Sequence, residues 1–236
     1  QRDDQLVKVV EGINLTIHPG ETVALVGESG SGKSVTARAL IGLSGPSAVV
    51  KAERFEIDGL NVLDYRDKEW RGLRGNKIGF VLQDALVSLD PLRRISQQLS
   101  DAFGVKGFFR RPDVTDRSKA LLRSVGIPDP DRRLLQYPHQ LSGGLRQRAL
   151  IATAVARSPS LLIADEPTTA LDATVQKQIL DLLAERRRAG HTLLLISHDL
   201  AVVSRLADRV LVMHNGRIVE EGPTRQILSA PKEAYT

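Results

Sequence analysis

The sequence predicts a single α/β domain: a mainly parallel sheet covered by helices, with an antiparallel β edge and an inserted helical lobe. Three observations carry this. Short apolar runs alternate with helix-period segments toward both ends of the chain, the pattern of a parallel sheet buried on both faces. Strand signals fade between Asp84 and Gln140, where helical stretches lie between breaks containing Pro and Gly. Near the C-terminus, two β-branched runs flank Asn215-Gly216, a hairpin turn pair. A chain of 236 residues has room for one large domain. Its core is expected over about 1–83 and 141–236, and its helical lobe over about 84–140.

In chain order, Thr22 to Val26 reads as a strand entering a glycine-rich turn, followed by a helix from Lys33 to Leu43. Phe55-Glu56-Ile57 before Asp58-Gly59 reads as a strand and tight turn, and Lys77 to Leu82 as a strand. Within the lobe, Ser118 to Val125 is helical. A helical period returns over Ser142 to Arg157, and Leu161 to Ala164 has the composition of a buried strand. From Asp172 to Ala189, Val175, Ile179, Leu182 and Leu183 share one face, and Gly190 stands at the C-terminal cap. Thr192 to Ile196 is a strand and Asp199 to Ala207 a helix. Val210-Leu211-Val212 and Ile218-Val219 form the final hairpin.

Composition removes several classes of function. There is no cysteine, so a disulfide framework, a thiolate metal site and a cysteine nucleophile are excluded. No apolar run approaches the ~18–20 residues of a membrane-spanning helix. Aromatic residues are 4%, too few for a platform that stacks single-stranded nucleic acid. The net charge of +5 could favour phosphate ligands or an anionic membrane surface, but on charge alone an arginine-rich solvated surface is the first reading. The N-terminus, Gln1-Arg2-Asp3-Asp4, has neither initiator Met nor signal-peptide character, as expected for a piece of a longer or processed chain.

Gly27-Glu28-Ser29-Gly30-Ser31-Gly32-Lys33-Ser34 fits G-x-x-x-x-G-K-[ST], between a strand and a helix as the motif requires. Glycine lets backbone N–H groups turn toward an anion. The helix N-terminus adds positive potential. Lys33 can reach β- and γ-phosphates, and the Ser34 hydroxyl can ligate Mg²⁺. This predicts a P-loop NTPase, with nucleotide expected along Gly27 to Val35, and the motif alone does not choose among P-loop enzymes. Leu161 to Ala164 then runs into Asp165-Glu166. A parallel strand ending in acids delivers them to the carboxyl edge of the sheet, beside the phosphate loop. Asp165 is placed to hold Mg²⁺ directly or through water, and Glu166 to polarise or deprotonate the attacking water.

Between these motifs, Leu141-Ser142-Gly143-Gly144 resembles the signature of ATP-binding cassette (ABC) ATPases. Gln83 resembles the Q-loop glutamine, Ala170-Leu171-Asp172 the D-loop, and Ser197-His198-Asp199 the switch-histidine motif. Six elements stand in the family order across nearly the whole chain. The resemblance implies ATP and Mg²⁺ as ligands. It implies catalytic roles for Lys33, Gln83, Glu166 and His198, and metal contacts from Ser34, Gln83 and Asp165. Leu141, Ser142, Gly143 and Gly144 would close over the nucleotide of a second subunit, and Asp172 would bridge subunits while capping its helix. The partners implied are a second ABC ATPase subunit, identical or related, two transmembrane permease subunits contacted through about Gln83 to Gln98, and indirectly a solute-binding protein. Nucleic acid is not among them. The location implied is peripheral, at the cytoplasmic face of the cell membrane.

Gln83-Asp84 with Ser88-Leu89-Asp90-Pro91, and the run Leu141 to Arg148, are similar to the peptide and nickel importer branch. The tail Ala230 to Thr236 is similar to the segment that precedes a C-terminal extension in that branch. Peptide is the leading solute on this resemblance, with nickel or another small solute as the alternative. A non-transport ABC ATPase acting on nucleic acid or ribosomes would need coiled-coil arms or a charged interdomain linker, and neither is seen. A simple P-loop kinase would leave the signature and His198 unexplained. Two departures stand out. Leu145 replaces a common Gln, and no aromatic residue precedes Phe55 to stack on adenine, which implies weakened ATP affinity.

Overall fold

The computed structural model describes residues 7–82, 88–105, 112–169 and 171–236. The chain enters the sheet through β1 (Thr22–Val26), turns through the glycine-rich loop and forms α1 (Lys33–Ala39). A small hairpin, β2 (Glu56–Ile57) and β3 (Leu60–Asn61), precedes α2 (Asp67–Leu73) and β4 (Ile78–Val81). Helices α3 (Ile95–Ala102), α4 (Pro112–Ser124) and α5 (Pro130–Leu134) follow, then a 3₁₀ turn at Pro138–Gln140. Next come α6 (Gly143–Val155), β5 (Leu161–Asp165), α7 (Ala173–Arg188), β6 (Thr192–Ile196) and α8 (Leu200–Leu206). The hairpin of β7 (Arg209–His214) and β8 (Arg217–Pro223) leads to α9 (Thr224–Ser229).

The main sheet has the order β4-β5-β6-β1-β7-β8. Its first five strands are parallel and β8 pairs antiparallel with β7, so the mainly parallel sheet with an antiparallel edge is as the sequence predicts. Side chains alternate between its faces, as the strand period requires. Leu193 and Leu195 pack with helices α3 to α7, whereas Leu194 and Ile196 pack with α1, Val23 and Leu25 on the other side. Ala24 and Val26 join Val203, Val210 and Ile227 in a third cluster.

The first helix is shorter than its apolar period suggests. It closes in a Schellman arrangement, in which the Leu43 N–H donates to the Arg38 carbonyl at 2.8 Å and Gly42 takes a φ of 66°. Residues 7–20 contain no strand, so the antiparallel elements described are β8 and the β2–β3 hairpin.

The register fixes where loops emerge. Ile196 on β6 lies opposite both Leu25 on β1 and Asp165 on β5. The residues after these three positions therefore leave the sheet side by side, at the carboxyl edge where ligands of parallel α/β sheets bind.

Candidate active site at the carboxyl edge of the sheet

The phosphate loop follows β1 and folds around its own lysine. Gly27 has a φ of 151°, and a Cβ there would lie 2.1 Å from the Met213 carbonyl oxygen, so the loop can pass β7 this closely only with glycine. Lys33 Nζ donates to the carbonyl oxygens of Gly27 (2.7 Å) and Glu28 (2.8 Å) and lies 3.4 Å from Ser31 Oγ. Lys33 is 7% exposed. That burial pulls its ammonium below the usual lysine range, and the charges of Glu166 and Asp165 partly oppose the shift.

The acids at the end of β5 occupy different environments. Asp165 is 2% exposed and accepts the Ser34 hydroxyl at 3.1 Å. Burial pushes its carboxyl above the ordinary aspartate value, against the Ser34 hydrogen bond. Glu166 takes a left-handed φ of 50° as the chain leaves the strand. One oxygen, Oε1, meets His198 Nδ1 at 2.7 Å and accepts the His198 backbone N–H at 3.1 Å. The other, Oε2, accepts the Thr169 hydroxyl at 3.1 Å. His198 stands just beyond β6, and Asp199 caps the following helix through the N–H groups of Ala201 and Val202.

Lys33, Ser34, Asp165, Glu166 and His198 thus lie together at one sheet edge. Gln83, Asp84 and Ala170 lie outside the described residues. Ser142 and Gly143 are exposed at the start of α6, where the Ser142 hydroxyl accepts the Leu145 N–H at 3.4 Å. Gly144 is buried against α7, and a Cβ there would lie 2.5 Å from Val175 Cγ1. Among the described residues, no hydrogen bond joins this segment to the phosphate loop of its own chain. Asp172 caps α7 through the Val175 N–H at 2.9 Å. Sequence reasoning missed Thr169. Its signal was local: the Thr169 N–H donates to the Glu166 carbonyl at 3.2 Å, closing a turn that carries the hydroxyl back to the carboxylate.

A cradle for phosphate, a buried hydroxyl–carboxylate pair and an acid–imidazole pair on one sheet edge define the class: a nucleotide-binding, ATP-hydrolysing cassette. The chain belongs to the ABC transporter family, whose model matches residues 10–169. It is 44% identical over 233 residues to the dipeptide transport ATP-binding protein DppD of Lactococcus lactis subsp. cremoris strain MG1363, an alignment covering 98% of this chain and 66% of that protein. It is 42% identical over 232 residues to the oligopeptide transport ATP-binding protein OppD of Bacillus subtilis strain 168, covering 98% and 65%. The chain thus spans about two thirds of the length of these relatives. Among solved structures it resembles a dimeric ATP-binding cassette in a post-hydrolysis state bound to ADP and Pi. That match has a TM-score of 0.81 and 30% identity, over 95% of this chain and 94% of the other. Among the described residues, no helix is long and apolar enough to cross a membrane.

Proposed function

We propose that this protein hydrolyses ATP to drive an ABC-type importer of dipeptides or oligopeptides. It would act as one of two cassettes beneath a pair of transmembrane permease subunits, at the cytoplasmic face of the cell membrane. The observation that carries the reading is the Glu166–His198 contact of 2.7 Å on the sheet edge that also holds Lys33 and Asp165. Such a pair can take a proton from water and orient it toward a terminal phosphate held by the loop. The peptide solute rests on the dipeptide and oligopeptide transport ATP-binding proteins to which the chain is similar.

The residues divide the work. Backbone amides from Gly27 to Val35 bind the phosphates, and Lys33 exchanges its loop carbonyls for β- and γ-oxygens. Glu166 accepts the proton of the attacking water. His198 orients Glu166 and the γ-phosphate, and Gln83 would complete the water's surroundings. The donor set at Ser34 and Asp165 fits Mg²⁺: a hydroxyl and a buried carboxylate are hard oxygen ligands, and burial raises the carboxyl although the Arg38 and Lys33 charges act against it. Magnesium bound there would neutralise charge on the phosphate oxygens.

Leu141, Ser142, Gly143 and Gly144 are assigned to the nucleotide of the second subunit. The exposed Ser142 and Gly143 at a helix start suit capping a phosphate presented from outside the chain. Asp172 is assigned to the same junction. The whole chain is assigned to one ABC ATPase domain, core about 1–83 and 141–236, with residues 84–140 as the lobe that meets the permeases. A solute-binding protein would act only through those permeases, and nucleic acid has no part.

Glu166→Gln keeps the shape of the side chain but removes its basicity and turns one of its two acceptor oxygens into an amide donor. Hydrolysis by the assembled transporter is expected to slow at least about a hundredfold while nucleotide binding is retained, the lower range for loss of a general base. Near-normal turnover measured by phosphate release would overturn the role.

A further inference from the structure

The C-terminal segment returns to the phosphate loop. Beyond α9, the Glu220 carboxylate on β8 accepts the N–H of Lys232 at 2.8 Å and of Glu233 at 3.1 Å, which turns the chain back along the sheet. Tyr235 then lies against His214 at the end of β7, with ring centroids 3.9 Å apart and planes inclined by 35°. The Tyr235 hydroxyl oxygen accepts the backbone N–H of Glu28 at 3.1 Å. Glu28 is the second residue of the phosphate loop.

The peptide that Tyr235 holds is also one that Lys33 holds. In a trans peptide the N–H and C=O point in opposite directions. The Gly27–Glu28 peptide gives its N–H to Tyr235 and its carbonyl oxygen to Lys33 Nζ at 2.7 Å, so it is gripped from both sides. The next carbonyl, that of Glu28, takes Lys33 Nζ at 2.8 Å and the Ser31 N–H at 3.2 Å. Rotation of the gripped peptide would therefore disturb the lysine and the loop's internal turn together.

The geometry points to Tyr235 as a positioning residue of the nucleotide site, setting the phosphate loop and Lys33 through the Gly27–Glu28 peptide. This rests on the reading that the loop binds ATP. Tyr235 acts through Glu28 rather than on the phosphates. The three anchors at Glu220, His214 and Glu28 hold the tail and the loop as one unit, so nucleotide affinity depends on residues some two hundred positions downstream in sequence.

The decisive variant is Tyr235→Phe in the full chain, which leaves a ring for His214 and removes only the hydroxyl. Two quantities are measured: the Kd for a fluorescent ATP analogue, and the hydrogen-exchange rate of the Glu28 amide. The expected result is a Kd raised about three- to tenfold, the span of one net hydrogen bond, with faster Glu28 exchange and a melting temperature lowered by no more than about 6 °C. Tyr235→Ala should accelerate Glu28 exchange equally and weaken binding at least as much. A Tyr235→Phe chain that binds nucleotide like the parent overturns the proposal, whether or not Glu28 exchange changes. If the parent chain binds no nucleotide, the ATP reading falls. The exchange arm then judges the contact itself: unchanged Glu28 exchange refutes it, and faster exchange upholds it.

Discussion

The two ends of the main sheet hold charge in opposite ways. At the amino end, Arg209 at the start of β7 bonds Glu21, just before β1, at 2.7 and 3.1 Å, and also reaches Glu221 and the Thr16 carbonyl. The Arg209 hydrogen bonds hold the Glu21 carboxyl below its ordinary value, and Glu21 in turn raises the guanidinium. At the carboxyl end, burial moves Lys33 down and Asp165 up, each toward its neutral form. The same kinds of residue are satisfied at one end and undercompensated at the other. The amino end is a fastener. The carboxyl end is a receptacle whose charge balance the proposed nucleotide and magnesium would complete, and perturbed groups of this kind gather where chemistry is done.

If that contrast holds, variants at the two ends should separate binding from stability. The largest effect is expected for Lys33→Ala, which removes the ammonium from the phosphate loop. Its ATP Kd should rise about 10- to 100-fold, as for loss of charge-assisted hydrogen bonds, in a direct nucleotide titration. An unchanged Kd would place the phosphates elsewhere and erase the distinction. Next is Arg209→Met. It strands Glu21, whose side chain is only 16% exposed, without its partner. Breaking a buried pair costs about 3–5 kcal/mol, and partial exposure brings this to about 2–3. At about 2–4 °C per kcal/mol for a domain this size, the melting temperature should drop by about 4–12 °C. Nucleotide affinity should stay within about twofold, since the pair lies at the far end of the strands. A comparable loss of affinity would mean that the two ends are energetically one site.

What the sequence revealed follows the range of the interactions. Lys33 and Ser34 were legible because a phosphate loop is a local pattern, and Asp165-Glu166 because a strand ending in acids is local too. His198 was legible through family resemblance alone, since it meets Glu166 across 32 positions and two strands. Alternating runs gave the parallel sheet, but the order β4-β5-β6-β1-β7 is set by crossover packing that periodicity does not encode. The end of α1 was misplaced because its apolar period runs on past the point where Gly42 closes the helix. Thr169 was within reach, three residues after Glu166. Tyr235 was not, because its bond to Glu28 joins positions 207 apart and has no local signature.

The smallest effect has the most informative sign. Asp165→Asn keeps an oxygen for the Ser34 hydroxyl, now 3.1 Å away, and deletes the buried charge. Asp165 has a folded-state pKa above its unfolded value of 3.8, with burial as the largest cause. The folded chain therefore binds that proton more tightly than the unfolded chain. Its stability falls as pH climbs from 3.8 through the folded value and then levels off. Asparagine has no such loss. In the absence of nucleotide and magnesium, Asp165→Asn should melt above the parent by about 2–8 °C near neutral pH, as for a substitution that relieves a functional site by about 1–2 kcal/mol. The gap should close on acidification. Glu21→Gln should behave in the reverse sense. The depressed pKa of Glu21 gives stability that is fully present above its unfolded value of 4.5 and lost as pH falls through the folded value, so this variant melts below the parent at neutral pH and converges with it in acid. Saturating ATP and magnesium should stabilise the parent more than Asp165→Asn, because only the parent offers the full ligand set. An Asp165→Asn chain that melts below the parent without ligand would show that the carboxylate is already compensated, and the two ends of the sheet would then differ in position but not in physics.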